Sequence, residues 1–184
     1  MCTDKDNKYV NFIPVKSSIN WDEYFMVQAM IASFKSKDPS TKVGCVFVDD
    51  NNHQLSMGYN GMLAGIDETK IPWGNDKGVN YELQKYGYVI HSEANAIAHA
   101  KCSLKGARVY VTLFPCPECT KQIACHGVKE VIYLSDKYKD SDEVRVSKKL
   151  MEMASIKYRH LAISKELISS INKYFIEMID GIVV

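Results

Sequence analysis

The sequence lacks the features that mark membrane and secreted proteins. Its apolar runs, such as VGCVFV at 43–48, are far too short to cross a bilayer. The opening residues MCTDKDNKYVNF mix acids with lysines and have no apolar core, so we expect no signal peptide. The six cysteines are scattered and no secretory signal accompanies them, which favours thiols that are free or metal-bound in a reducing compartment. We therefore expect a cytoplasmic protein.

The chain also lacks a basic excess. It has 23 Lys and Arg against 22 Asp and Glu, and only three of the basic residues are arginines: Arg108, Arg145 and Arg159. Proteins that follow a nucleic-acid backbone usually carry a clear positive excess, whereas single lysines can still bind the phosphates of a small ligand. The charge balance therefore favours a small-molecule enzyme over a nucleic-acid-binding protein.

What is present is typical of a soluble α/β domain. Hydrophobic residues make up 46% of the 184 residues and charged residues 24%, without repeats or low-complexity tracts, so we expect one domain over 1–184. Strands and helices alternate from residue 91 onward, which predicts a parallel portion of sheet after an antiparallel hairpin. The predicted strands are 42–49, 53–60, 107–114, 130–136 and 156–162; the predicted helices begin after Asn20 and cover 91–102, 116–127, 142–154 and 164–180.

Two further predictions concern the first helix and the segment after the hairpin. Asn20 and Glu23 have the spacing of a capping box at a helix start. Residues 62–88, which we call the 62–88 segment, contain Pro72 and several glycines and are predicted to form a long loop. Long loops in compact domains are often functional. The buried stripe of the first helix is predicted to consist of Tyr24, Phe25, Val27, Ile31 and Phe34.

The chemistry-bearing residues lie where two helices are predicted to start. HSE at 91–93 opens one helix, and Cys116 and Cys119 in PCPEC open the next. In a βαβ unit such positions meet at one end of the sheet, and the positive end of a helix dipole favours thiolates. His91, Cys116 and Cys119 would leave zinc one open position, where a water is acidified, and Glu93 can point into the site without binding metal.

Two other interpretations of these cysteines remain. Cys116 and Cys119 could form a redox pair, which would not need the upstream HSE. A closed structural zinc site would need a fourth ligand from Cys125 or His126, although both lie late in the predicted helix and away from its start. A zinc-stabilised binding module without turnover would keep the ligands but would not need Glu93.

The order of motifs resembles a known family. H-x-E followed by P-C-x-x-C is the signature of zinc nucleobase deaminases. The whole set, which spans about 21–160, resembles the deoxycytidylate (dCMP) deaminases: WDEYFM at 21–26, SKDPST at 36–41, GYNGM at 58–62, IPW at 71–73, HSEANAI at 91–97, LFPCPEC at 113–119 and SDKYKDSDE at 135–143. The resemblance implies a cytidine deaminase-like three-layer α/β/α sandwich with a mixed five-stranded sheet.

It also implies an activity and roles for residues. The reaction would be hydrolysis of dCMP to dUMP and ammonia, feeding thymidylate synthesis, with zinc on His91, Cys116 and Cys119. Glu93 would move protons to N3 of the base and to the departing amine. Asn60 resembles the asparagine that contacts the sugar hydroxyl. The N–H of Ser92, a position that is commonly alanine in the family, would contact the base carbonyl. The C=O of Phe114 resembles the acceptor for the exocyclic amine.

Regulation is a further implication of the resemblance. The GYNG stretch at 58–61 is linked in the family to activation by dCTP and inhibition by dTTP, with Mg²⁺, in a homohexamer; it could also be only a glycine-rich turn. Lys137 and Tyr138 are phosphate candidates, and Tyr59 and Gly61 effector candidates. Met62 to Ile90 contains no Cys or His, so no second zinc is expected there. Alternative substrates are cytidine, dCTP and tRNA bases.

Overall fold

A computed structural model describes residues 19–74, 78 and 80–181. The segment MCTDKDNKYVNF and parts of the 62–88 segment (75–77 and 79) lie outside these residues. Within them, no helix is long and apolar enough to span a bilayer. The cysteines in this part of the chain are all free: Cys45, Cys102, Cys116, Cys119 and Cys125.

A mixed five-stranded sheet lies at the centre of the fold. The strands are β1 Gly44–Val48, β2 Gln54–Tyr59, β3 Arg108–Val111, β4 Glu130–Tyr133 and β5 Lys157–His160, in the order β2-β1-β3-β4-β5. β1 pairs antiparallel with β2 and β3, whereas β3, β4 and β5 are parallel. The predicted hairpin and parallel portion are therefore confirmed, and the fold class is α/β.

In the described part of the chain, five α-helices accompany the sheet: α1 Trp21–Ser33, α2 Ser92–His99, α3 Pro117–Cys125, α4 Asp142–Met153 and α5 Lys165–Ile179. Because strand side chains alternate between the two faces, the strands contribute to two cores. Val46, Tyr110 and Ile132 pack with α1 on one face. Phe47, Val109 and Val131 belong to the other core, with residues of α2, α3 and α4, so the arrangement is α/β/α as predicted.

The predicted buried stripe of α1 is wrong except for Phe25. The buried face consists of Phe25, Met26, Ala29, Ala32 and Ser33. Tyr24, Ile31 and Phe34 are exposed, Phe34 to 76%, and Val27 is half-buried.

The reason is a close approach between α1 and β1. A Cβ on Gly44 would lie 2.2 Å from the carbonyl oxygen of Ala29 and 2.6 Å from the amide nitrogen of Ser33. Only a glycine in the strand lets the helix backbone come this near, so the face carrying Ala29 and Ser33 is the one that packs. The capping box itself is present: Glu23 N donates to Asn20 Oδ1 and Asn20 N to Glu23 Oε2, both at 2.9 Å.

The predicted strands were too long at their carboxyl ends. β3 ends at Val111 and β4 at Tyr133, so 112–114 and 134–136 are loops rather than strand. The two loops stay together, since Phe114 N donates to Ser135 O at 2.8 Å. They carry the chain from the end of the parallel sheet to the candidate site.

Candidate active site

The starts of α2 and α3 form the candidate site. His91 is the N-cap of α2 and Cys116 the N-cap of α3. Pro117 occupies the first position of α3, where its missing N–H costs no helix hydrogen bond. Because α3 follows β3, its start lies at the carboxyl end of a parallel strand, the usual place of ligands in α/β sheets.

Three metal-binding side chains meet at these helix starts. His91 Nδ1 lies 3.3 Å from Cys116 Sγ and 3.4 Å from Cys119 Sγ. Tetrahedral zinc with ordinary Zn–N and Zn–S bonds would hold such atoms about 3.6 Å apart. Among the residues that the structure describes, this is the one group of three such ligands, with donor atoms all within 4.8 Å of one another. The donor set and its spacing fit zinc.

The surroundings of the three side chains favour a thiolate. Hydrogen bonding to Cys119, together with the nearby His91, lowers the pKa of Cys116 to about 4. The same bond raises the pKa of Cys119, and the hydrogen bond with Cys116 raises that of His91. A soft cation would stabilise the second thiolate as well, because it replaces the proton that the sulfurs share.

The carboxyl group of Glu93 is buried beside this group of ligands. Its pKa is raised by burial, which suits a group that must both hold and release a proton near neutral pH. Ser92 is fully buried, and its hydroxyl donates to Glu93 Oε2 at 2.8 Å. This bond fixes the position of one oxygen of the carboxyl group.

Two predicted backbone contacts lie beside Glu93 and Cys116. The N–H of Ser92 is in the first turn of α2, where N–H groups have no partner within the helix. Phe114 is buried, and among the described residues no donor reaches its carbonyl. Pro115 and Pro117, its neighbours in the chain, have no N–H to offer.

The GYNG stretch joins the hairpin to α2. A Cβ on Gly58 would lie 2.3 Å from Ser92 O, so glycine allows β2 and α2 to approach closely. Tyr59 O accepts from Asn95 Nδ2 at 2.9 Å, and Gly61 pairs with Ile90, directly before His91. These contacts explain GYNG as packing around the site, whether or not an effector binds.

Asn60 directly precedes Gly61, which pairs with Ile90, and the side-chain amide of Asn60 is already engaged in hydrogen bonds. Its Nδ2 donates to Thr41 O at 3.0 Å and to Asp38 Oδ2 at 3.3 Å, and its Oδ1 accepts from Val43 N at 2.8 Å. An amide nitrogen has two hydrogens and a carbonyl oxygen two lone pairs. Oδ1 therefore keeps one lone pair, and a sugar hydroxyl could only donate to it.

The phosphate candidates Lys137 and Tyr138 lie next to Thr41. Lys137 Nζ donates to Thr41 Oγ1 at 3.1 Å and lies 4.8 Å from the centre of the Tyr138 ring. Tyr138 is 52% exposed, and its pKa is lowered chiefly by Lys137. Among the described residues no carboxylate forms an ion pair with Lys137, so its charge is open to an anion.

Sequence reasoning missed a buried polar group next to Asn60. Asp38, Thr41, Asn60 and Lys85 form a connected set, the Asp38 cluster, in which Lys85 Nζ contacts both carboxylate oxygens of Asp38. Asp38 and Thr41 lie in the SKDPST stretch, but no local pattern indicates that Lys85 is their partner. The only available signal was that several charged residues stand in the long loop.

Three metal-binding side chains beside a buried carboxyl group are typical of a metal-dependent hydrolytic enzyme, because three protein ligands would leave a bound metal one position for water. The comparisons with known proteins narrow the class. The model of the cytidine and deoxycytidylate deaminase zinc-binding region matches residues 19–135. The chain belongs to this family of hydrolytic deaminases, and the predicted membership is confirmed.

Relatives and solved structures agree with this membership. The probable deoxycytidylate deaminase of Drosophila melanogaster is 40% identical over 158 residues, 83% of this chain and 78% of that protein. The deoxycytidylate deaminase of Homo sapiens is 42% identical over 142 residues, 77% and 79% of the two chains. The crystal structure of dCMP deaminase from the cyanophage S-TIM5 with dCMP and dUMP has a TM-score of 0.58 at 27% identity, covering 76% of this chain and 95% of that one.

Proposed function

We propose that this chain hydrolyses dCMP to dUMP and ammonia and so supplies dUMP for thymidylate synthesis. The observation that carries the proposal is the buried Glu93 carboxyl beside the meeting point of His91, Cys116 and Cys119. The family supports deamination, and the named relatives and the dCMP-bound structure support this substrate. We further propose that residues 1–184 form one cytoplasmic deaminase domain.

Each residue has a task in this reaction. Zinc held by His91, Cys116 and Cys119 would supply an acidified water as the nucleophile. Glu93 would give a proton to N3 of the base as C4 becomes tetrahedral, then take the remaining proton of the attacking water and deliver it to the departing amine. Water and dCMP thus give dUMP and ammonia, with no other reactant.

The substrate would be oriented by groups around Glu93. The N–H of Ser92 donates to the base carbonyl, and the carbonyl of Phe114 accepts from the exocyclic amine. The remaining lone pair of Asn60 Oδ1 accepts from the sugar hydroxyl. Lys137 and Tyr138 bind the phosphate, with Lys137 held near it by Thr41.

The direct test is ammonia release from dCMP, deoxycytidine, cytidine, dCTP and a tRNA substrate, assayed in parallel. The proposal predicts the highest kcat/KM for dCMP. Preference for another of these substrates would keep a hydrolytic deaminase and overturn the choice of dCMP. A strong chelator should abolish turnover and zinc should restore it; full activity in metal-free protein would contradict the ligand assignment.

We also propose nucleotide regulation in a homohexamer, activated by dCTP and inhibited by dTTP with Mg²⁺. Tyr59 and Gly61 are the candidate contacts, and they adjoin Asn95 and Ile90 beside the site. An effector must favour one of two arrangements to change the rate. In dCMP saturation curves, dCTP should make a sigmoidal curve hyperbolic and dTTP should depress it. Hyperbolic curves that neither triphosphate changes would remove regulation without affecting the deaminase proposal.

A further inference from the structure

The Asp38–Lys85 pair is buried next to Asn60, whose neighbour Gly61 pairs with Ile90 directly before His91. Lys85 is 5% exposed and Asp38 3%, and lysines are almost never this buried unless paired. Lys85 Nζ donates to Asp38 Oδ1 at 2.8 Å and to Oδ2 at 2.7 Å. Neither residue has a role in the reaction proposed above, so the pair needs its own explanation.

Asp38 also organises the loop that leads into β1. Its Oδ1 accepts from Ser40 N at 2.8 Å and from Thr41 N at 3.1 Å, and its Oδ2 accepts from Asn60 Nδ2. Burial raises the pKa of Asp38, but the bonds from Lys85, Ser40 and Thr41 outweigh it and the pKa lies below its usual value. The carboxylate therefore fixes the backbone at Thr41 and the amide of Asn60 together.

Lys85 brings Gly74 and the residues that lead to His91 to the same point. Its backbone N–H donates to Gly74 O, and its carbonyl accepts from Val89 N, both at 2.9 Å. The chain then reaches Ile90, which pairs with Gly61, and His91 follows directly. Through Asp38, Lys85 is connected to Thr41, whose hydroxyl accepts from Lys137 Nζ.

We propose that Asp38 and Lys85 are positioning residues that hold Asn60 and Thr41 in place for the sugar and phosphate of the nucleotide. The inference rests on the proposed function, because the sugar and phosphate contacts belong to it. Without Lys85, the buried carboxylate of Asp38 loses its counter-charge, and the loop must rearrange to hydrate it. In the described part of the chain, no hydrogen bond or ion pair joins the side chains of Asp38 or Lys85 to the metal-binding residues or to Glu93, so metal binding and the chemical step should persist.

The test compares Lys85→Met with Lys129→Met. Methionine keeps the apolar stem of lysine and removes the charge, and Lys129 pairs with Asp50 on an exposed surface, so its variant controls for loss of a lysine ion pair. For Lys85→Met, we expect KM for dCMP to rise about tenfold or more, as small misplacements can cause, while kcat per bound zinc stays within about threefold. Lys129→Met should match the parent.

The ratio of KM to kcat separates positioning from mere destabilisation. A partly unfolded enzyme loses zinc and apparent kcat but keeps its KM, whereas misplaced substrate contacts raise KM. An unchanged KM in a zinc-loaded Lys85→Met protein would overturn the proposal. If the parent protein does not deaminate dCMP, the proposed function is wrong. The kinetics of the variant cannot give this result, so the two failures are distinguishable.

If Lys85→Met does not fold, Asp38→Asn/Lys85→Met takes its place. The double variant leaves no buried charge without a partner, so it should be the more stable protein. The amide nitrogen that replaces Oδ2 of Asp38 cannot accept a hydrogen bond from Asn60 Nδ2. Because this bond to Asn60 is lost, KM for dCMP should remain severalfold above the parent value. A parent-like KM in the double variant would overturn the positioning role.

Discussion

The two sides of the candidate site are built differently. The chemical side, with His91, Glu93, Cys116 and Cys119, comes from two short stretches at helix starts. The nucleotide side is the Asp38 cluster with Lys137 and Tyr138, whose members come from four separate loops and are joined by side-chain hydrogen bonds. The helix starts fix the positions of the residues on the chemical side. The residues on the nucleotide side depend instead on the hydrogen bonds between them.

This difference predicts different kinetic consequences. Changes on the chemical side should affect metal content or kcat, because they remove groups that act on the reacting atoms. Changes on the nucleotide side should affect KM, because they displace groups that we propose hold the sugar or the phosphate. The variants below test this separation.

Loss of a metal ligand should have the largest effect. Cys119→Ser is expected to abolish zinc binding and activity and to lower the melting temperature, because metal binding couples to folding. Cys125→Ser, in the same helix and exposed, is the matched control and should keep zinc. Elemental analysis and thermal melts of both proteins provide the measurement. Full zinc and full activity in Cys119→Ser would contradict the ligand assignment.

Glu93→Gln should keep zinc and fold but lose turnover. Glutamine is nearly isosteric and cannot carry the proton, so kcat for dCMP should fall by about 10²–10⁴. Glu152→Gln, on the surface of α4, serves as the control. Steady-state kinetics on zinc-matched samples decide the outcome, and a Glu93→Gln enzyme within about tenfold of the parent would refute the proton-transfer role.

Ser92→Ala should have a smaller effect on kcat. Without the hydroxyl, Glu93 Oε2 loses its 2.8 Å hydrogen bond and the carboxyl group is held less firmly. Loss of one hydrogen bond of typical net strength corresponds to a fall in kcat of roughly 2- to 10-fold. Ser147→Ala is a suitable control, since Ser147 is equally buried and its hydroxyl has no partner among the described residues. A rise in KM with unchanged kcat would assign Ser92 to the substrate instead.

Thr41→Val should have the smallest effect and should act only on the nucleotide side. Valine has the shape of threonine but cannot accept from Lys137 Nζ. We expect KM for dCMP to rise roughly 2- to 5-fold while KM for deoxycytidine, which has no phosphate, stays the same. Thr69→Val, which removes a hydroxyl bonded to Asp67, is the control. Equal changes for both substrates would remove the link to the phosphate.

Sequence patterns predicted the chemical side because its signals are local. His91 with Glu93, and Cys116 with Cys119, are each a few residues apart, and the helix starts could be predicted from the surrounding periodicity. The α/β class and sheet direction followed in the same way from alternating elements. The zinc-ligand roles themselves stay predictions until metal is measured.

The rest depended on contacts that no local pattern encodes. Asp38 and Lys85 are 47 residues apart, and charged residues in loops are usually solvated. Asn60 was predicted as a sugar contact, but its engagement with Thr41 and Val43 depends on how two loops meet. The predicted buried face of α1 is wrong because apolar residues occur on all sides of this helix. The close approach at Gly44 in β1 decides which of them pack against the sheet.

The most direct test of the whole arrangement is the steady-state kinetics of dCMP deamination by the parent, Glu93→Gln and Lys85→Met at equal zinc content. We predict that Glu93→Gln loses kcat by about 10²–10⁴ with KM nearly unchanged. Lys85→Met should raise KM about tenfold or more with kcat nearly unchanged. If both variants changed the same parameter, or if the parent released no ammonia from dCMP, the division of the site into a chemical and a nucleotide side would be contradicted.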